Sequence, residues 1–233
     1  GGGWTVNTGW LGAAGTECDW YGVTCSSGSV YAIQLPRNLL TTTDGIPAEL
    51  GILTNLTVLD LSDNRGQGYG LRGPIPAELG NLTNLDYLYL YNNSLSGSIP
   101  PELGKLTRLK QLALYENSLI GSIPTKLGKL TKLEYLALYN NSLSGSIPAE
   151  LGNLINLKQL WLYNNSLTGS IPAELGNLTN LTHLYLSNNR FSGPIPAWLK
   201  SSSYKTLTLT NAFQISQIER EALLALYNST DGA

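Results

Sequence analysis

The sequence predicts an α/β solenoid, a short strand and a short helical turn repeated coil after coil around one continuous core. Three observations predict it. The stretch Leu133 to Lys158, LEYLALYNNSLSGSIPAELGNLINLK, has close copies beginning at Leu85, Leu109, Leu157 and Leu181, each 24 residues from the next. A fixed period in this range marks a supersecondary unit that buries its apolar face only against its neighbours. Within each copy leucines alternate with other residues, as in Leu88/Leu90, Leu112/Leu114 and Leu136/Leu138, so each strand has a core face and an open face. An asparagine then follows each strand, at Asn38, Asn64, Asn93, Asn117, Asn141, Asn165 and Asn189. There the chain turns out of the sheet, and an amide carries the donors and acceptors its backbone groups have lost.

The strands begin near Val30, Leu56, Leu85, Leu109, Leu133, Leu157, Leu181 and, degenerately, Tyr204. Each follows its predecessor by a full coil, so all eight are expected to be parallel. After each strand, SGSIP or GPIP supplies a turn through Gly and a fixed φ through Pro. PAELGNL reads as a short helical or 3₁₀ turn ended by its Gly. The coil from Val30 holds two extra residues around TTTDG and the coil from Leu56 holds five, Gly66 to Gly70, both expected as surface loops.

The two ends differ from the coils. Residues 1–28 place Trp4, Trp10 and Trp20 around Cys18 and Cys25, a composition suited to covering the apolar face and open edge of an end coil. The cysteines could close a short loop in an oxidising compartment or stay as free thiols in a reducing one. Zinc is not expected, because the single histidine, His183, is far along the chain. At the other end ISQIEREALLALYNSTDGA puts Ile215, Ile218, Ala222, Leu223 and Leu226 on one helical face, with Ser216 and Glu219 as a capping box. The expected organisation is therefore a cap over 1–28, repeats over 29–210 and an amphipathic helix within 211–233.

A net charge of −2 offers no basic field for nucleic acid. No run of 18 apolar residues occurs, so no membrane span is expected, and the opening GGGW carries no charged and apolar leader pattern.

The run LxxLxLxxNxLxGxIPxxLGxL, together with CDWYGVTC before it, resembles the plant-type leucine-rich repeat domains of receptor kinases, receptor-like proteins and polygalacturonase-inhibiting proteins. The resemblance covers nearly the whole chain. It implies a right-handed superhelix or horseshoe with about eight parallel strands on the concave face and 3₁₀ or short helices on the convex face. It further implies an extra short strand on the flank formed by the LxGxIP segment, a Cys18–Cys25 disulfide, and a secreted or ectodomain setting. It does not select a ligand, since such domains bind peptides, small hormones, glycans and proteins on one scaffold. In algal-type members a helix similar to EREALLALYNSTDGA stands directly before the W…W…WYGVTC segment. Here its continuation, GGGWTVNTGW, opens the chain, so the ends resemble halves of one N-terminal cap, as in a chain circularly permuted or cut from a longer array. Eight coils span roughly 38 Å whereas residues 211–216 reach about 20 Å, so the helix is expected on the last coil or, head to tail, on another molecule's cap.

Period-2 geometry places most of the tyrosines on the open sheet face. The third strand position reads Ala32, Val58, Tyr87, Gln111, Tyr135, Gln159, His183 and Thr206, and the fifth reads Gln34, Asp60, Tyr89, Ala113, Ala137, Trp161, Tyr185 and Thr208. The seventh includes Tyr91, Tyr115, Tyr139 and Tyr163, rings expected ~4.8 Å apart and hence able to stack. Such a platform suits sugar rings or an extended peptide, while the alternatives are rings that only stabilise the sheet or that repeat duplication copied. The ligand-binding candidates are Tyr87, Tyr89, Tyr91, Tyr115, Tyr135, Tyr139, Trp161, Tyr163, His183 and Tyr185, with Glu116. Glu116 breaks a rim column of Asn92, Asn140, Asn164 and Asn188 and could select a cationic or hydroxylated ligand.

Asp86, Lys110, Glu134 and Lys158 alternate in sign at the second position, a structural pairing device. Glycosylation candidates are Asn55, Asn81, Asn92, Asn140, Asn164, Asn177, Asn180 and Asn228. Asp60 and Asp63 could hold an ion weakly, but no metal site, cofactor or catalytic constellation is expected. The expected function is extracellular recognition of a peptide, protein or glycan on the tyrosine-rich concave face. The alternatives are an assembly module associating head to tail through residues 215–233 and, by resemblance alone, an inhibitor of a cell-wall-degrading enzyme.

Overall fold

The computed structural model describes residues 13, 15–40, 45–66, 70–201 and 206–208. Trp4, Trp10, Tyr204, most of both insertions, Asn228 and the 211–233 helix lie outside the described residues, as does the matching of the two cap halves.

Eight strands run parallel in one sheet: Ser29–Gln34, Val58–Asp60, Tyr87–Tyr89, Gln111–Ala113, Tyr135–Ala137, Gln159–Trp161, His183–Tyr185 and Thr206–Thr208. The register steps by one whole coil, Leu88 opposite Leu112 and Leu112 opposite Leu136. A ninth strand, Val23–Ser26, pairs antiparallel with Ser29–Gln34 and forms the N-terminal edge. The coil periodicity could not show this strand, since it belongs to the CDWYGVTC segment. Cys18 and Cys25 are joined in a disulfide, their Cα atoms 5.5 Å apart, which ties the short 3₁₀ helix Glu17–Asp19 to this edge strand.

The strands end abruptly because the residue at the rim turns left-handed. Asp63, Asn92, Glu116, Asn140, Asn164 and Asn188 have φ between 50° and 57°, a region that Asn and Asp enter more readily than most residues. The next asparagine is then turned inward. Asn117 Nδ2 donates to Leu114 O in its own coil and to Leu90 O in the preceding one, and its Oδ1 accepts from Leu95 N at 3.0 Å. Asn93, Asn141, Asn165 and Asn189 repeat this pattern, so each amide stitches two successive coils.

Past the asparagine, LxGxIP segments build a second, five-stranded parallel sheet on the flank, from Arg72–Gly73, Ser94–Ser98, Ser118–Gly121, Ser142–Gly145 and Ser166–Leu167. The convex side carries one 3₁₀ helix per coil, for example Ala77–Asn81, Pro101–Lys105 and Thr125–Lys129. Their glycines do not terminate these helices, contrary to the sequence expectation: Gly128 lies inside its helix, and Leu130 is the cap. A Cβ on Gly128 would stand 2.4 Å from Glu150 O in the next coil. The residue is small because neighbouring convex helices approach closely.

Between these three faces runs a single core, leucines and isoleucines from Ile33 to Leu199 joined by Phe191. Leu88, Leu112, Leu136 and Leu160 are wholly buried, as the alternation requires. At the far end the pattern changes: the α-helix Ala197–Ser201 replaces a 3₁₀ turn, and the Trp198 ring lies against the Gly176 backbone.

Candidate functional site

The concave face is a ladder of aromatic rings set by the strand register. Tyr91, Tyr115, Tyr139 and Tyr163 stack in sequence with centroid separations of 4.4, 4.3 and 4.4 Å and interplanar angles of 9°, 11° and 10°. One residue per coil at one strand position fixes both the spacing and the tilt. Tyr185 closes the run edge-on to Tyr163 at 6.2 Å.

Beside the ladder stands Trp161. Its ring meets Tyr135 and Tyr185 almost perpendicularly, both at 5.3 Å, and leans toward Tyr139 at 5.8 Å. Its Nε1–H is buried and has no acceptor among the described residues, a donor left unmet there at the middle of the face and a cost to the folded state. No periodicity argument signals this feature, because it depends on ring orientation.

Toward the first coils, Tyr87 and Tyr89 lie 6.1 Å apart, Tyr89 Oη donates to Gln111 Oε1 at 2.8 Å, and Lys110 Nζ sits 5.8 Å from the Tyr87 ring centroid. At the other end Thr182 Oγ1 lies 2.9 Å from Lys158 O and 2.8 Å from His183 Nδ1. All ten aromatic and histidine candidates therefore lie on one face. Ala113 and Ala137, which alternation also places there, are buried, at 1% and 0% exposure. The bulky side chains around them shield these small residues.

Burial pushes the phenols up: Tyr89 to about 12, and Tyr115, Tyr135, Tyr139 and Tyr163 also above the ordinary value. Desolvation is the largest cause in each, and charge on the surrounding phenols adds to it; Glu116 raises Tyr139 and Tyr163 further. Hydrogen bonds with Tyr139 offset part of this rise at Tyr115 and Tyr163. The hydroxyls are therefore neutral donors and acceptors at physiological pH.

Charges at the edge of this face are mostly paired. Asp86 contacts Lys110 at 3.2 Å and Arg108 at 3.6 Å, and Glu134 contacts Lys158 at 2.6 Å. The alternating charges thus pair two by two. Asp63 contacts Arg37 and accepts from Asn92 Nδ2, while Asp60 accepts from the Ser62 hydroxyl and amide. Those oxygens are engaged within the protein, and no group of three or more metal-ligating acids, histidines or cysteines occurs among the described residues.

Asn81 and Asn177 end convex 3₁₀ helices and Asn55 and Asn180 lie on the turns that follow such helices; all four are exposed, with Asn180 Nδ2 bonded to Ile155 O. Asn164 Nδ2 donates to Asn140 Oδ1 at 2.6 Å and Asn92 Nδ2 to Asp63 Oδ1 at 2.8 Å. A glycan at Asn92 or Asn164 would disturb these rim bonds.

Fold and site together define a solenoid repeat protein with an aromatic concave surface. The chain belongs to the leucine-rich repeat family: a profile described as a leucine-rich repeat region matches residues 40–207. It is of the plant type, and similar solved structures are plant receptor ectodomains. The ectodomain of the Arabidopsis thaliana receptor kinase GASSHO1/SCHENGEN3, solved in complex with CASPARIAN STRIP INTEGRITY FACTOR 2, is 44% identical. Its TM-score is 0.72, over 78% of this chain and 21% of that one. PEPR1 in the PEPR1–AtPEP1 complex is 34% identical with a TM-score of 0.73, over 84% of this chain and 26% of that one. The Arabidopsis HAESA ectodomain, solved with an IDA peptide hormone ligand, is 38% identical with a TM-score of 0.68, over 78% and 30%. The chain thus spans less than a third of the length of these three ectodomains. Among curated protein sequences no match is found. No described helix is long and apolar enough to cross a membrane.

Proposed function

We propose that this chain is an extracellular binding module, not a catalyst, and that its concave aromatic face takes an extended peptide. One observation carries the reading: the Tyr91–Tyr163 stack with Trp161 beside it, a preformed apolar shelf edged by phenol hydroxyls. Tyrosine and tryptophan give large contact area at little loss of side-chain freedom, and rings already held by their neighbours lose almost none on binding. The unpaired Trp161 donor gives such a ligand one further partner, provided the surrounding rings shift.

Peptide is favoured over glycan by the three similar ectodomains, whose structures hold CASPARIAN STRIP INTEGRITY FACTOR 2, AtPEP1 and an IDA peptide hormone. The same likeness and the Cys18–Cys25 disulfide support an extracellular setting.

The test presents the immobilised protein with a displayed library of short random peptides and, in parallel, with an oligosaccharide array. The expected result is enrichment of peptides whose binding falls by about tenfold in Trp161→Ala, a change of interface hot-spot size. Tyr87→Ala, at the margin of the ladder, gives a second reading in case Trp161→Ala unfolds. Binding of oligosaccharides alone, or peptide binding indifferent to both substitutions, would overturn the proposal.

A further inference from the structure

The rim column is held together by side-chain amides except at one coil. Asn92 bonds Asp63, Asn164 bonds Asn140 and Asn188 bonds Asn164, at 2.8, 2.6 and 2.6 Å. Glu116 stands between Asn92 and Asn140 and makes no such bond to either. It holds the same left-handed backbone, φ 54°, which suits Asn and Asp better than Glu. The position therefore forgoes both a link in the ladder and a favourable conformation, a local cost of the kind that accumulates at functional sites.

Charge points the same way. Asp60, Asp63, Asp86 and Glu134 each have a donor or a cation within the protein. The Glu116 carboxylate has neither a hydrogen bond nor a salt bridge to any described residue. Its field reaches the hydroxyl side of the ladder, where it acts on the Tyr139 and Tyr163 phenols. Those phenols stay protonated, and Tyr139 shares hydrogen bonds with Tyr115 and Tyr163.

We infer that Glu116 is the specificity-determining residue of the concave face, and that its carboxylate, at the rim position between Asn92 and Asn140, binds a cationic group of the peptide ligand. An ammonium donates and the carboxylate only accepts, at two oxygens. Stacking occupies both faces of the Tyr115 and Tyr139 rings, so the cation is read by the carboxylate at the rim and not by those ring faces. Either a basic side chain or a free amino terminus meets this description. The inference rests on the peptide-binding reading above.

The probe is a set of short peptides drawn from the library selection. Each is made with Lys or with norleucine at its enriched position, and each with a free or an acetylated amino terminus. They are titrated onto wild type and Glu116→Gln, which keeps the side chain's shape; matching thermal unfolding curves confirm the variant's fold. The expected result is a loss of about tenfold for the Lys peptide on Glu116→Gln, none for its norleucine analogue, and a wild-type affinity that weakens with salt. A loss that follows acetylation in place of norleucine assigns the cation to the amino terminus. Equal losses for charged and neutral peptides, or none for either, would overturn the inference while leaving peptide binding intact. Failure of every peptide to bind wild type would overturn both.

Discussion

Tyr115 and Tyr139, one coil apart, stack with ring centroids 4.3 Å apart and planes 11° from parallel. Strands lie about 4.8 Å apart, so the rings lean together slightly more closely than their backbones do. Tyr139 also stacks on Tyr163 and is only 8% exposed. The ladder is thus part of the packing as well as the surface offered to a ligand. Tyr139→Ala is expected to cost about 3 to 5 kcal/mol by loss of buried area and two stacks. Tyr139→Phe keeps the stacks and should cost about 1 kcal/mol. Urea unfolding of the two variants measures the difference.

Alkaline pH should loosen the fold. Tyrosine is charged when deprotonated, and burial raises the folded-state values of Tyr89, Tyr115, Tyr135, Tyr139 and Tyr163 above the ordinary value of about 10. The folded chain therefore holds these protons more tightly than the unfolded one. Their contribution is complete below about pH 10 and is lost as pH rises past that value toward the folded-state values. Unfolding midpoints should fall steeply above pH 10, and less steeply in Tyr115→Phe.

Removing one inward amide should separate two coils. Asn117→Ala leaves Leu90 O and Leu95 N without their side-chain partner, a buried loss of about 3 kcal/mol. Hydrogen exchange should show the Leu95 amide opening faster than amides two coils away.

Close packing of the convex helices predicts a glycine requirement. Gly128→Ala drives a Cβ into Glu150 O and should cost about 1 to 3 kcal/mol. Gly66→Ala, whose nearest neighbour is the Leu39 side chain at 3.8 Å, should be tolerated. A thermal melt of both variants distinguishes crowding from a general dislike of alanine.

Replacing Glu116 by Asn should complete the rim column and relieve the left-handed glutamate. A gain of about 0.5 to 1 kcal/mol is expected, read as a higher unfolding midpoint. An unchanged or lower midpoint would show that Glu116 costs the fold nothing.

The repeat made much of this legible. A 24-residue period with alternating leucines fixes strand direction, register and core, and one tyrosine per coil fixes the stack. The edge strand Val23–Ser26 was not legible because it belongs to no coil. The role of Gly128 was misread because its neighbour, Glu150 O, comes from the following coil and not from its own helix. Within the site, column membership could be read but orientation could not: the near-perpendicular seating of Trp161 and the burial of Ala113 and Ala137 arise from rings packing sideways.

The most direct test of the central claim is hydroxyl-radical footprinting of the protein with and without a library-selected peptide. Protection of Tyr87, Tyr135 and Trp161 is predicted, with exposed side chains away from the concave face, such as Ile120 on the flank sheet and Ile155, unchanged. Protection confined to those outer positions, with the concave rings as reactive as in the free protein, would contradict the account.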